Sequence, residues 1–164
     1  MRRGLESTLP PGWGSAFGAA EFGVLLGGGV PGPATSLASA PPLDVDDMRA
    51  HARYGGGYGP DRPAVVDFWD ALGGMGPADQ AAVLRFATAA GRPPLLGFAR
   101  LAPPLTIVPA GGGGGEAAPT SRLPTAATCL NLLKLPDYGR AGGAALVAER
   151  LLYAAREASG FGLS

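Results

Sequence analysis

Residues 122–138 read RLPTAATCLNLLKLPDY and contain the single cysteine of the chain, Cys129. Two Leu-Pro pairs, Leu123-Pro124 and Leu135-Pro136, bracket it about twelve residues apart. Proline donates no amide and fixes its own φ, so each pair marks a corner in the chain. Ala127 and Thr128 before the cysteine and Asn131 two places after it are small, and no bulky side chain walls the thiol in. Free cysteine is among the most often buried residue types, and composition alone favours a packing role. The local wording reads instead as a presented thiol.

The spacing of the whole phrase resembles the active-site segment of HECT-type ubiquitin ligases. That pattern is Leu-Pro, three variable residues, Thr-Cys, one residue, Asn, then Leu-x-Leu-Pro-x-Tyr. It is met here by Leu123, Pro124, Thr128, Cys129, Asn131, Leu133, Leu135, Pro136 and Tyr138. The resemblance extends upstream over residues 65–108, which are similar to the family's helix pair, its Phe-x-Thr segment (Phe86 to Thr88), its Pro-rich corner and its Gly-Phe (Gly97, Phe98). It extends downstream over residues 146–164, similar to the family's last helix and tail, with Phe161 near the end. RPPLLGF and NLLKLP look most like the branch whose full-length members carry an IQ motif and associate with the proteasome.

The resemblance implies an α+β lobe, a small sheet packed with helices, over residues 43–164. Residues 1–26 carry Trp13, Phe17, Phe22, Val24, Leu25 and Leu26, too few apolar groups for a core, and resemble the end of the family's larger N-terminal lobe. Residues 27–42, GGGVPGPATSLASAPP, have linker composition and fall where the family has its interlobe hinge. The chain is thus expected to begin near the end of that larger lobe.

The residues themselves predict several elements. Asp44 can cap a short helix running to residue 53 that the glycines at 55–57 would end. A second helix fits 61–72 through Val65, Phe68, Trp69 and Leu72, and a third fits 77–90 through Val83, Phe86, Ala87 and Ala90. Residues 105–108 read as a buried strand, 109–121 as a Gly-rich loop, and 144–158 as a last helix burying Val147, Leu151, Ala154, Ala155 and Ala158. The glycine run at 111–115 has no Gly-Lys-Ser/Thr after it, as a phosphate loop would need.

Composition narrows the function classes. Thirteen basic residues balance thirteen acidic ones, leaving no net charge to draw the chain to nucleic acid or a membrane surface. One cysteine forms no internal disulfide, which fits a reducing compartment, and no apolar run reaches the ~20 residues of a membrane span. Glu6, Pro10, Pro11 and Gly12 interrupt any signal-peptide core after Met1-Arg2-Arg3, so cytoplasm or nucleus is the expected location. His51 is the only histidine, too little for a metal site, and no cofactor is implied.

The implied chemistry is two acyl transfers through one sulfur: ubiquitin passes from a conjugating enzyme to Cys129 as a thioester and leaves on a substrate lysine. Thiolate is a strong nucleophile, and exchange between thioesters is nearly balanced in energy. An ordinary thiol of pKa near 8.5 is only ~3% thiolate at neutral pH, so positioning must replace a strong base. Ala127 stands where many family members carry a histidine, which removes a Cys-His dyad. Thr128 is placed either to orient the thioester carbonyl or to satisfy local backbone. The attacking lysine must lose a proton. Candidate acceptors are Asp137, equally an ordinary turn residue, and the terminal carboxylate of Ser164. Phe161 either anchors the tail on the larger lobe or packs on its own.

The expected partners are ubiquitin, a conjugating enzyme bound through the larger lobe, protein substrates and the proteasome. The alternative is a noncatalytic ubiquitin-binding or regulatory remnant of such a ligase, because the lobe that recruits the conjugating enzyme is almost wholly missing from these residues.

Overall fold

Leu43 is the first residue of the described lobe. Its backbone N–H donates to Gln80 Oε1 (3.1 Å), while Gln80 Nε2 donates to the Leu72 carbonyl (3.1 Å), so one buried amide ties the entering chain to the end of a helix. The computed structural model describes residues 43–90, 92–111, 121–139 and 142–160. The expectations for residues 1–42, for most of the Gly-rich loop, and for Phe161 and Ser164 lie outside the described residues.

Helix α1 spans Val45–His51, capped by Asp44, whose side chain accepts from Asp47 N–H (2.9 Å). It stops earlier than predicted. Ala52 turns to ψ 150°, and Arg53–Tyr54 become strand β1, with Arg53 N–H donating to the Leu105 carbonyl (2.8 Å). A two-residue strand leaves no alternation to read, which is why the sequence favoured a longer helix. Gly56 (φ +62°) and Gly57 (φ +90°) form the turn that follows β1 rather than a helix end.

Helix α2 spans Pro63–Gly74 and α3 spans Pro77–Thr88, each with proline in its first turn, where the missing amide costs nothing. Val65, Phe68, Trp69 and Leu72 of α2 and Val83 and Ala87 of α3 are buried as their spacing predicts, and Phe86 packs against the same core. Ala90 is exposed instead, because Ala89 enters the left-handed region (φ 59°) and ends α3. A 3-10 turn at Phe98–Arg100 buries Phe98 and packs against α1. Strand β2 covers Thr106–Pro109, β3 Thr125–Ala127 and β4 Leu132–Leu135, and helix α4 covers Gly143–Gly160.

The sheet order is β1-β2-β4-β3, with β1, β2 and β4 parallel and β3 antiparallel to β4. Four helices and this mixed sheet make the described lobe α+β. Helix α4 packs on α2 and α3, burying Val147, Leu151, Ala154 and Ala155, while Ala158 reaches solvent beyond the core. Ile107, Leu133 and Leu135 are fully buried in the same cluster as Phe68, Leu72 and Leu151, so one core joins sheet and helices. Strands β3 and β4 were not predicted. Within LNLLKL the inward Leu133 and Leu135 alternate with outward Lys134, a period too short to stand out among flanking leucines.

Candidate functional site

Strands β3 and β4 form a hairpin at the edge of the sheet, joined by a 3-10 turn at Thr128–Leu130 and by Asn131. Pro124 is buried ahead of β3, and beyond β4 the buried Tyr138 donates its hydroxyl to the Arg122 carbonyl (2.8 Å). The two Leu-Pro corners and the tyrosine therefore close the base of the hairpin. Tyr58 adds a second clamp, donating to the Leu135 carbonyl (2.9 Å). Burial pushes the Tyr138 phenol up to about 12, partly opposed by the Arg150 charge. Burial likewise pushes Tyr58 up to about 12, with the Asp137 carboxylate adding to the rise and Arg62 opposing it.

Asn131 fixes the other end of the hairpin. Its backbone is left-handed (φ 47°, ψ 43°), a region asparagine tolerates better than most residues. The buried side chain donates from Nδ2 to the Pro103 carbonyl (2.6 Å), while its own carbonyl accepts from Thr106 N–H (2.8 Å). These bonds tie the turn to the segment entering β2. Helix α3 packs against both β3 and the turn.

Between these anchors Thr128, Cys129 and Leu130 are exposed, and Cys129 is a free thiol. The structure thus brings Thr128, Cys129 and Asn131 together on one turn. Asn131 was singled out by spacing, but its anchoring to Pro103 was not foreseen, since a contact across 28 residues leaves no local signal. Leu130, 58% exposed beside the thiol, was missed as well; its sole signal is adjacency to Cys129.

Asp137 is not brought to the cysteine. It follows β4, whereas Cys129 precedes it, and an extended strand rising ~3.3 Å per residue sets them roughly 15–20 Å apart. Asp137 Oδ1 accepts from Gly139 N–H (3.0 Å) and Oδ2 lies 3.6 Å from Arg62, in an open groove of about 440 Å³ with Gly56, Gly57, Tyr58 and Arg122. In this arrangement it is a turn residue. His51 is held on α1 by Asp47, its Nδ1 lying 3.0 Å from Oδ1 and 2.9 Å from the carbonyl of that residue. Among the described residues no cluster of three His, Cys, Asp or Glu could hold a metal ion, and no helix is long and apolar enough to cross a membrane.

Cys129 is thus an exposed free thiol on the turn of an anchored edge hairpin. The profile of the HECT-domain (ubiquitin-transferase) family matches residues 1–164. The chain belongs to the HECT family. It is 37% identical to a probable E3 ubiquitin protein ligase of Schizosaccharomyces pombe, over 98% of this chain and 14% of that relative. It is 36% identical to the E3 ubiquitin-protein ligase UPL6 of Arabidopsis thaliana, over 99% of this chain and 14% of the relative. To the E3 ubiquitin-protein ligase HUL5 of Saccharomyces cerevisiae it is 34% identical, over 98% and 16% respectively. The chain spans about one-seventh of the length of these relatives, and the described HECT lobe is the part in which Cys129 lies.

Proposed function

We propose that this HECT chain is a ubiquitin transferase lobe that accepts ubiquitin on Cys129 as a thioester and passes it to a substrate lysine. The observation that carries the reading is the exposed Cys129 on a turn held by Asn131 and Tyr138. Transthiolation needs a thiol that an incoming thioester can reach without opening the fold, and a turn that keeps its place while two large proteins exchange an acyl group. Both needs are met by this hairpin. Thr128, the only hydroxyl directly beside the cysteine in sequence, is the group that orients the thioester carbonyl, and Phe161 anchors the tail when the lobes close.

The test joins this chain to an upstream HECT lobe and mixes it with a conjugating enzyme charged with ubiquitin. A ubiquitin adduct that reductant removes, and that Cys129→Ala abolishes, is the expected result. Cys129→Ser traps ubiquitin as an oxyester, because a hydroxyl is the poorer nucleophile and alkoxide the poorer leaving group. Persistence of the reducible adduct in Cys129→Ala overturns the assignment. Absence of any adduct in the unaltered chain instead favours a noncatalytic ubiquitin-binding role. By their wording, RPPLLGF and NLLKLP support membership of the IQ-motif, proteasome-associated branch. Proteasomal degradation of substrates, with the proteasome as a partner in cytoplasm or nucleus, is part of the same proposal.

A further inference from the structure

Three parallel strands end side by side. Strand β1 runs on to Gly56, β2 to Ala110 and β4 to Asp137, and the open groove of about 440 Å³ lies across these carboxyl ends. Crevices outside the carboxyl ends of parallel strands are a recurrent place for ligands, and this volume is that of a small-ligand site. The groove is at the far end of β4 from Cys129, so an occupant leaves the thiol turn open.

The balance of charge at the groove is cationic. Arg62 and Arg122 line it, and Asp137 is the one carboxylate lining it among the described residues. Arg62 Nη2 and Asp137 Oδ2 are 3.6 Å apart, beyond the roughly 2.7–2.9 Å of a charge-assisted hydrogen bond. The Arg62 guanidinium therefore keeps donors for a closer oxyanion. Burial holds the Tyr58 and Tyr138 phenols protonated, both pushed up to about 12, so neither adds negative charge; Tyr138 also feels the opposing cation of Arg150. Arg150 has a buried Nε that makes no hydrogen bond among the described residues, one more unmet donor on the cationic side.

The chemistry of the occupant follows from what it must displace. A carboxylate only repeats what Asp137 offers, whereas a phosphate monoester brings about −1.5 to −2 charges and three acceptor oxygens. The groove is larger than one phosphate group and is walled in part by Pro109 and Pro136, which suit the flanks of an extended peptide. Tyr58, the one aromatic residue lining it among the described residues, is buried, so it offers no open ring face on which a nucleobase can stack. We propose that this groove docks a phosphorylated segment of a partner protein, with Arg62 as the principal contact to the phosphate.

The test titrates the isotope-labelled 164-residue chain, followed by NMR at constant ionic strength, with three probes. They are a capped peptide of phosphoserine flanked on each side by two alanines, the same peptide with glutamate in place of phosphoserine, and inorganic phosphate. The expected result is saturable shifts at the amides of Gly56, Gly57 and Ala110, with Cys129 and Leu130 unmoved, and roughly tenfold tighter binding of the phosphopeptide than of either other probe. Arg62→Gln weakens the phosphopeptide by roughly tenfold, and Asp137→Asn, which removes the competing carboxylate but can still accept from Gly139 N–H, strengthens it. Both side chains are exposed, so the amide pattern of the core stays as it is and reports an intact fold. Equal binding of the glutamate peptide overturns the phosphate specificity, and equal binding of inorganic phosphate overturns the protein segment. No saturable shift, or binding indifferent to Arg62→Gln or weakened by Asp137→Asn, overturns the site.

Discussion

Replacing Asn131 separates the two reasons for its presence. Alanine removes the 2.6 Å bond to the Pro103 carbonyl and must also adopt φ 47°. Loss of a buried hydrogen bond costs about 1–2 kcal/mol, and left-handed backbone adds about 1 kcal/mol for a residue with a Cβ and no compensating side chain. Asn131→Ala should therefore lose about 2–3 kcal/mol, a fall in Tm of about 8–12 °C for a lobe of this size. Glycine loses the same bond but enters the left-handed region freely, so Asn131→Gly should lose about 1 kcal/mol less than alanine. Urea and thermal unfolding followed by circular dichroism measure both. Charging of Cys129 well below either transition should still be slower in both variants, because the turn loses its tie to the segment entering β2. Equal losses for glycine and alanine would refute the backbone part of the reasoning. Losses below about 0.5 kcal/mol in both would refute the anchor itself.

Three further outcomes follow from other parts of the lobe. Gly97 has φ +78°, and a Cβ there would lie 2.9 Å from Asp47 Oδ2, which already accepts from Phe98 N–H at 2.7 Å. Gly97→Ala should cost about 2 kcal/mol in urea unfolding, and less in an Asp47→Ala background where the clash is gone. The phenols of Tyr58 and Tyr138, raised to about 12, stay protonated in the fold after their unfolded counterparts have ionised near 10. Their contribution is therefore complete below pH 10 and is lost as pH climbs toward 12; Tyr58→Phe or Tyr138→Phe should flatten that part of the stability profile, and an unchanged slope counts against the assignment. Finally, these 164 residues by themselves should charge Cys129 from a conjugating enzyme far more slowly than when joined to an upstream lobe, since residues 1–26 are too few to supply a docking surface. Comparable rates at equal enzyme would show a recruitment site within the chain.

Helices α2 and α3 were legible because their apolar stripes repeat over three turns, and each begins at a proline that suits a first helical turn. The sheet was hardly legible. Arg53–Tyr54 and Thr125–Ala127 hold too few residues to display alternation, and they become strands only because Thr106–Pro109 and Leu132–Leu135 offer their edges. The spacing of its motif, rather than any property of the thiol, marks Cys129 as the candidate in the sequence. What that spacing encodes became visible only in three dimensions: Tyr138 reaches back to Arg122, and Asn131 reaches to Pro103. Asp137 shows the converse. Eight residues from the cysteine looks near in sequence, but an extended strand lies between them and converts that interval into distance.

In the role proposed for it, the placement of Cys129 reconciles two demands that oppose each other. A nucleophile open to two protein partners must stand at the surface, where turns are commonly the most mobile part of a fold. Here both flanks of the exposed turn are anchored. Leu133 and Leu135 bury one strand in the core, Pro124 and the Tyr138 hydroxyl lock the base, and Asn131 pins the turn where it enters β4. Only Thr128, Cys129 and Leu130 are left facing solvent on the turn itself. With no histidine next to the cysteine, the proposed transfer rests on such fixed presentation, and bringing the thioester within reach falls to the docking partner. Loosening any one anchor should then slow the chemistry before it unfolds the lobe.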